Sequence, residues 1–289
     1  MIIDADLFSR LVAAQFPHWR ALPVTEVAVS GWDNRTFRLG DAMLIRAPSA
    51  EGYVAQVEKE QVWLPRLAPH LPLAIPRPIA RGEPGEGYPW CWSVYGWIEG
   101  QAASAVSTVD SRRLASDLAG FLGALQSVGT DGGPPAGRQS FYRGGPLSTY
   151  DGQNRQAIAA LGDDCDVSAI TAIWDEALAS VWIGPPVWVH GDVAPGNLLL
   201  RDGRLCAVID WGIMSIGDPA CDLAIAWSYF DSAARQAFRA SLETDDRTWS
   251  RGRGWALWKA LILASGIAKG LPRDIADARR VIGEVLAEH

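Results

Sequence analysis

Polar and apolar positions divide the chain into a strand-patterned first part and a helix-patterned second part. The opening MIIDADLFSRLVAAQF spaces its apolar residues for one face of a helix, with Asp4 or Asp6 placed to cap it. Three short runs follow: VTEVAVS at 24–30, TFRLG at 36–40 and AMLIR at 42–46. The turn signals Gly31-Trp32-Asp33-Asn34 and Gly40-Asp41 separate them, so the pattern predicts an antiparallel meander. Val54, Val57, Gln61, Leu64 and Leu67 return to three- and four-residue spacing, with Pro65 expected to weaken the end of that helix. A Pro/Gly-rich connection then allows one short strand at 78–81, and the aromatic run WCWSVYGWI at 90–98 predicts another.

Beyond residue 100 the period changes. Leu114, Leu118, Phe121, Leu122 and Leu125 line one face of a helix within 108–127. Further helices are predicted at 149–161, 167–180, 220–229, 231–242, 254–269 and 273–288. Among them lies a β segment, PVWVHGD, NLLL and LCAVID, whose RDGR step reads as a hairpin turn. The expected class is α+β: a small antiparallel-sheet lobe at 1–99 and a mainly helical lobe at 100–289.

Composition narrows the function classes. The chain has 289 residues, 48% hydrophobic and 20% charged, enough for two lobes with their own cores. A formal net charge of -7 gives no drive toward nucleic acid or an anionic membrane. No apolar run reaches the ~20 residues needed to cross a bilayer. The N-terminus lacks a basic region and a small-residue cleavage site, so a cytoplasmic protein is expected. Cys91, Cys165, Cys206 and Cys221 show no metal spacing and read as buried free thiols; the four histidines are equally scattered. The 14 Trp read mainly as core, and Glu243, Asp245 and Asp246 as a solvated acidic loop.

Candidate chemistry concentrates in 187–223. Asp192 follows an apolar strand in a loop with Gly191, Pro195 and Gly196; Asn197 opens the next strand; Asp210 ends the one after. Carboxylate and amide oxygens at strand ends around one hairpin suit a hard cation such as Mg²⁺, which also takes phosphate oxygens. A carboxylate beside such a metal can accept a hydroxyl proton.

These residues resemble the aminoglycoside phosphotransferase family, small-molecule kinases of the protein-kinase-like fold that also include macrolide, choline and homoserine kinases. The resemblance rests on His190-Gly191-Asp192, Asn197, Asp210 and Gly217-Asp218-Pro219-Ala220-Cys221-Asp222-Leu223-Ala224 in that order. It implies a bilobal fold, ATP or GTP as donor, Mg²⁺, a small-molecule acceptor and a monomer or weak dimer. It further implies Asp192 as the catalytic base, Asn197 and Asp210 as metal ligands, and His190 and Asp222 as supports of the loop.

The nucleotide side departs from the common kinase pattern. There is no GxGxxG, and Gly31 and Asn34 would stand in the turn that covers the phosphates. The strand at 42–46 should carry a phosphate-gripping lysine, yet Lys59, Lys259 and Lys269 lie elsewhere; Arg46 takes the position, with Glu60, or less suitably Glu58, as its partner. The base would dock on the connector at Trp97 and Ile98. The missing lysine leaves a nucleotide-binding pseudokinase as an alternative to a kinase. A metabolite such as an amino alcohol or sugar stands as an alternative to an antibiotic acceptor, and a Mg²⁺-dependent phosphatase is a third reading.

Overall fold

The computed structural model describes residues 2–27, 33–162 and 165–288. The chain forms two compact units, Met1–Gly100 with Ala207–Gly212, and Gln101–Cys206 with Ile213–His289.

In the first unit, helix α1 (Ala5–Gln15) starts where the Asp4 carboxylate accepts the Leu7 amide N–H at 2.9 Å. Strands β1 (Val24–Glu26), β2 (Asn34–Leu39) and β3 (Met43–Pro48) form the meander. Helix α2 (Val54–Leu67) follows, then β4 (Pro78–Gly82) and β5 (Trp92–Gly96). The antiparallel sheet runs in the order β1-β2-β3-β5-β4. Phe8 and Leu11 of α1 are buried with Phe37, Ile45, Tyr88 and Trp92, so one amphipathic helix closes one face of the sheet. Complete burial of Phe8, stacked on Phe37, is worth about 2–3 kcal/mol.

Three expectations shift here. Pro65 lies within the last turn of α2, which continues through it and ends two residues later at Leu67. The run at 90–98 pairs only over Trp92–Gly96, because the amide N–H groups of Gly96 and Trp97 turn to Arg77 and Ala42. The strand expected at 24–30 is formed over Val24–Glu26, and residues 28–30 lie outside the described residues.

The second unit opens with β6 (Gln101–Ala102) and the helices α3 (Ser111–Gln126), α4 (Asp151–Leu161) and α5 (Val167–Ala179). The β segment follows as β7 (Val187–Val189), β8 (Leu198–Arg201), β9 (Arg204–Val208, whose end passes into the first unit) and β10 (Ser215–Gly217). Asp202 and Gly203, at φ 53° and 73°, make the left-handed pair of a tight hairpin turn between β8 and β9. The sheets are β6-β8-β9 and β10-β7. The chain then forms a 3-10 segment at Pro219–Ala224, the single turn α6 (Ile225–Ser228), α7 (Ser232–Leu242), α8 (Asp246–Ala264) and α9 (Pro272–Ala287). Among the described residues no helix is long and apolar enough to cross a membrane.

Helix α8 starts eight residues before the predicted 254. Three arginines and two glycines in its first half hide the helical pattern. Arg251 and Arg253 are nevertheless buried, because Asp218 pairs with Arg251 and the Val285 carbonyl accepts from Arg253. Built side chains on Gly252 and Gly254 would come within 2.6 Å of Leu223 and Leu147, so both glycines serve close packing. The cysteines are free, but only Cys221 is buried; the other three are half-buried.

Candidate active site

Each unit carries one group of candidate side chains. In the first, β3 delivers Arg46, whose guanidinium donates to Glu60 Oε1 at 3.0 Å and to Asp210 Oδ1 at 2.6 Å. Glu60 is buried on α2 and accepts the Tyr95 O–H from β5. Asp210 stands just after β9 at φ 68°, a left-handed conformation that a non-glycine residue adopts at a cost. The buried Trp211 pins that turn by donating to the Val208 carbonyl at 2.9 Å. A Cβ on Gly212 would lie 2.6 Å from Gln56, which accepts from Asn34.

Charge in this group is tightly coupled. Burial acts to lower the Arg46 pKa, but Glu60 and then Asp210 outweigh it and push it up. Burial pushes Glu60 up, against the lowering effect of Arg46 and Tyr95. Burial and then the charge of Asp210 push Asp33 up as well. Glu58, the weaker candidate partner, instead faces Arg81 at 3.8 Å.

Asn34 is not in an open turn: it opens β2, opposite Pro48, and is buried. Gly31 lies outside the described residues. The Trp97 amide is spent on Ala42, and its ring carries the Arg38 guanidinium at 3.7 Å. Ile98 follows it half-buried.

Lys59, beside Glu60, is also buried, and burial lowers its ammonium pKa to about 8 against an attraction from Glu60. A cation with a depressed pKa penalises the fold wherever it must stay protonated. The penalty is complete below pH 8 and disappears as pH rises toward the unfolded value of 10.5. Lys59→Met is therefore expected to raise stability at pH 7 by on the order of 2–3 kcal/mol. It should also flatten the rise of stability between pH 8 and 10 relative to the parent. Urea melts of both proteins across that range check this; parallel pH profiles would refute it.

In the second unit the loop after β7 is fixed from below. Asp222, fully buried, accepts the backbone N–H groups of His190 at 2.8 Å and Gly191 at 2.7 Å. Burial pushes this carboxyl up, against His190 and those two donors. His190 Nδ1 in turn accepts the Asp192 amide N–H at 3.2 Å. Gly191 sits at φ 87°, and a Cβ there would meet the Ile213 carbonyl at 2.9 Å. Asp218 caps the Pro219–Ala224 segment and is held by Arg251 at 2.7 Å.

This bracing leaves the Asp192 carboxylate partly open, its side chain 35% exposed. The Asn197 amide nitrogen donates to the Asp192 carbonyl at 2.9 Å and to Oδ2 at 3.4 Å. Lys259 Nζ lies 3.1 Å from Oδ1. Burial would raise the Asp192 carboxyl, but Lys259 first, then His190 and Arg143, hold it below the usual range. Lys259 and Arg143 were not picked out from sequence. The one signal, for Lys259 alone, was rarity: lysine occurs three times in the chain.

The acidic triplet at 243–246 is consumed by structure. Asp245 caps α8 through the Arg247 and Thr248 amides, Asp246 pairs with Arg239, and Glu243 ends α7 in a left-handed conformation. Trp227, Trp249, Trp255 and Trp258 are all core.

In each unit the candidate ligand offers an oxygen, the donor type that a hard cation such as Mg²⁺ takes. With its nitrogen on Asp192, Asn197 offers an amide oxygen; with one oxygen on Arg46, Asp210 offers the other. Among the described residues no cluster of three or more acidic, histidine or cysteine ligands occurs.

These elements define a protein-kinase-like fold with an HGD loop and a GDPA segment. The phosphotransferase enzyme family model matches residues 24–255, and the chain belongs to that family. Solved structures of the same fold cover nearly the whole chain. The GDP and kanamycin complex of APH(2")-IIia is 18% identical, with TM-score 0.74, over 98% of this chain and 99% of that one. The apoenzyme of macrolide 2'-phosphotransferase MphH from Brachybacterium faecium is 22% identical, with TM-score 0.62, over 96% and 97%. No curated protein sequence matches the chain.

Proposed function

We propose that this phosphotransferase moves the γ-phosphate of ATP or GTP to a hydroxyl group of a small molecule, and that it does so in the cytoplasm, where both nucleotides are supplied. The observation that carries the reading is the braced, partly exposed Asp192: His190 accepts its amide N–H, Asp222 holds the two residues before it, and its carboxylate lies beside Asn197. The acceptor oxygen attacks the γ-phosphorus, its proton passes to Asp192, and the bond to the bridging oxygen breaks with the electron pair leaving on the nucleoside diphosphate. Asn197 and Asp210 are the residues that would hold Mg²⁺; when bound, the ion neutralises phosphate charge. Arg46 takes the place of the lysine, keeping a permanent cation on β3. Trp97 and Ile98 would take the base.

Nucleotide binding is tested by melting the protein with ATP and with GTP, each with and without Mg²⁺. A ligand that binds only the folded chain raises Tm; at 100 times its Kd the stabilisation is about 2.7 kcal/mol. A Mg²⁺-dependent rise with at least one nucleotide is expected. No rise with either at millimolar concentration would refute the nucleotide role of Arg46.

A further inference from the structure

We propose that the acceptor carries an oxyanion group, a carboxylate or a phosphate, beside the hydroxyl that is phosphorylated, and that Lys259 and Arg143 recognise it. This rests on Asp192 being the group that receives the hydroxyl proton.

One cation, Lys259, stands at that carboxylate, and a second, Arg143, is bonded to the loop that carries it. From Arg251 to Ile262 every residue of α8 is buried except Lys259. Its side chain is 49% exposed, so a solute reaching Asp192 meets the ammonium as well. Arg143 donates through Nε to the Gly191 carbonyl at 3.2 Å. Its guanidinium lies over the Trp258 and Trp255 rings at 4.7 and 5.0 Å. Among the described residues Arg143 forms no ion pair, although its charge is felt at Asp192. It is placed by aromatic faces and the carbonyls of Gly191 and Phe141, and among the described residues no carboxylate pairs with its charge.

The acids that could receive a polycation are committed elsewhere. Asp222 faces the backbone of the loop, Asp218 is buried on Arg251, and Asp151 pairs with Arg155. Asp245 caps a helix and Asp246 pairs with Arg239. A cationic acceptor would meet Lys259 and Arg143 beside Asp192, while the five acids just named are already engaged. An oxyanion reverses that balance, since complementary charge favours the encounter and like charge opposes it. It would also draw Lys259 off Asp192 Oδ1, the oxygen that then takes the hydroxyl proton. The acceptor's own charge would thus free the base it needs.

The experiment is a saturation-transfer NMR titration of the full chain with glycerate, glycerol 3-phosphate, glycerol and kanamycin. The first two separate carboxylate from phosphate; the others supply neutral and polycationic hydroxyl compounds. At least one anion should bind more tightly than glycerol and kanamycin. Lys259→Met should weaken that anion about 10- to 100-fold, the effect of losing a hydrogen bond to a charged group, and so reduce its preference over glycerol. Lys259→Arg should restore it. Both variants sit at a half-exposed position, and an unchanged Tm confirms their folding. The proposal is overturned if kanamycin binds more tightly than both anions, if Lys259→Met leaves anion affinity intact, or if neither anion binds at tens of millimolar. A phosphoryl-transfer assay with ATP or GTP and Mg²⁺ runs in parallel. Anion binding without transfer to any compound would refute the kinase reading alone, whereas transfer to kanamycin but neither anion would refute this proposal alone.

Discussion

Asp192→Asn is expected to lower turnover by about 10²–10⁴-fold, the usual worth of a positioned general base, while nucleotide still stabilises the protein. The substitution is nearly isosteric. An asparagine oxygen can still accept from Lys259, and the backbone that bonds His190 and Asn197 is untouched. What is lost is the capacity to take a proton at the oxygen near 3.1 Å from Nζ. Tm should therefore move little, and kcat should fall far more than KM rises. Single-turnover measurement with saturating nucleotide separates the chemical step from product release. Full turnover in the variant would remove Asp192 from the mechanism; loss of nucleotide stabilisation alongside turnover would mean that the substitution disturbs more than the base.

The sequence revealed the parts of this molecule whose signals are local. The meander, the RDGR turn and the HGD and GDPA segments all have short-range signatures, and each occurs where the pattern places it. Asp222 was named from the family resemblance, and its buried carboxylate accepts the amides of His190 and Gly191. What sequence hid was long-range pairing. Lys259 reaches Asp192 across 67 positions, and Arg46 reaches Asp210 across 164. Neither separation leaves a periodic trace. The first turns of α8 were missed for the same reason: Arg251 and Arg253 look like surface residues until Asp218 and the Val285 carbonyl are seen to receive them. Asn34 was read as a turn residue from its type, yet the sheet claims it as the first residue of β2.

The Arg46 pair makes the largest stability prediction. Glu60 is 3% exposed and the Arg46 side chain 11%, so the guanidinium is the main compensation for a carboxylate held away from water. Removing one member of such a pair strands the other, at about 3–5 kcal/mol. Arg46→Met should therefore lower Tm by on the order of 10 °C. Pairing it with Glu60→Gln should recover more than half of the loss, because an amide needs no cation and can still accept the Tyr95 hydroxyl. Arg46→Lys should fall between: it keeps the charge, but one ammonium replaces the two guanidinium nitrogens that now reach Glu60 and Asp210 separately. Calorimetric melts of the parent, both single variants and the pair form a double-mutant cycle. Strong coupling between positions 46 and 60 is the expected result, and additive losses would refute it. The same four proteins then report on Asp210. If Arg46 also orients that carboxylate for Mg²⁺, the Arg46→Met, Glu60→Gln pair will recover its fold without recovering the Mg²⁺-dependent nucleotide shift. Stability and ligand binding would then separate, because Glu60 needs the guanidinium only as a buried counter-charge, whereas Asp210 needs it for position.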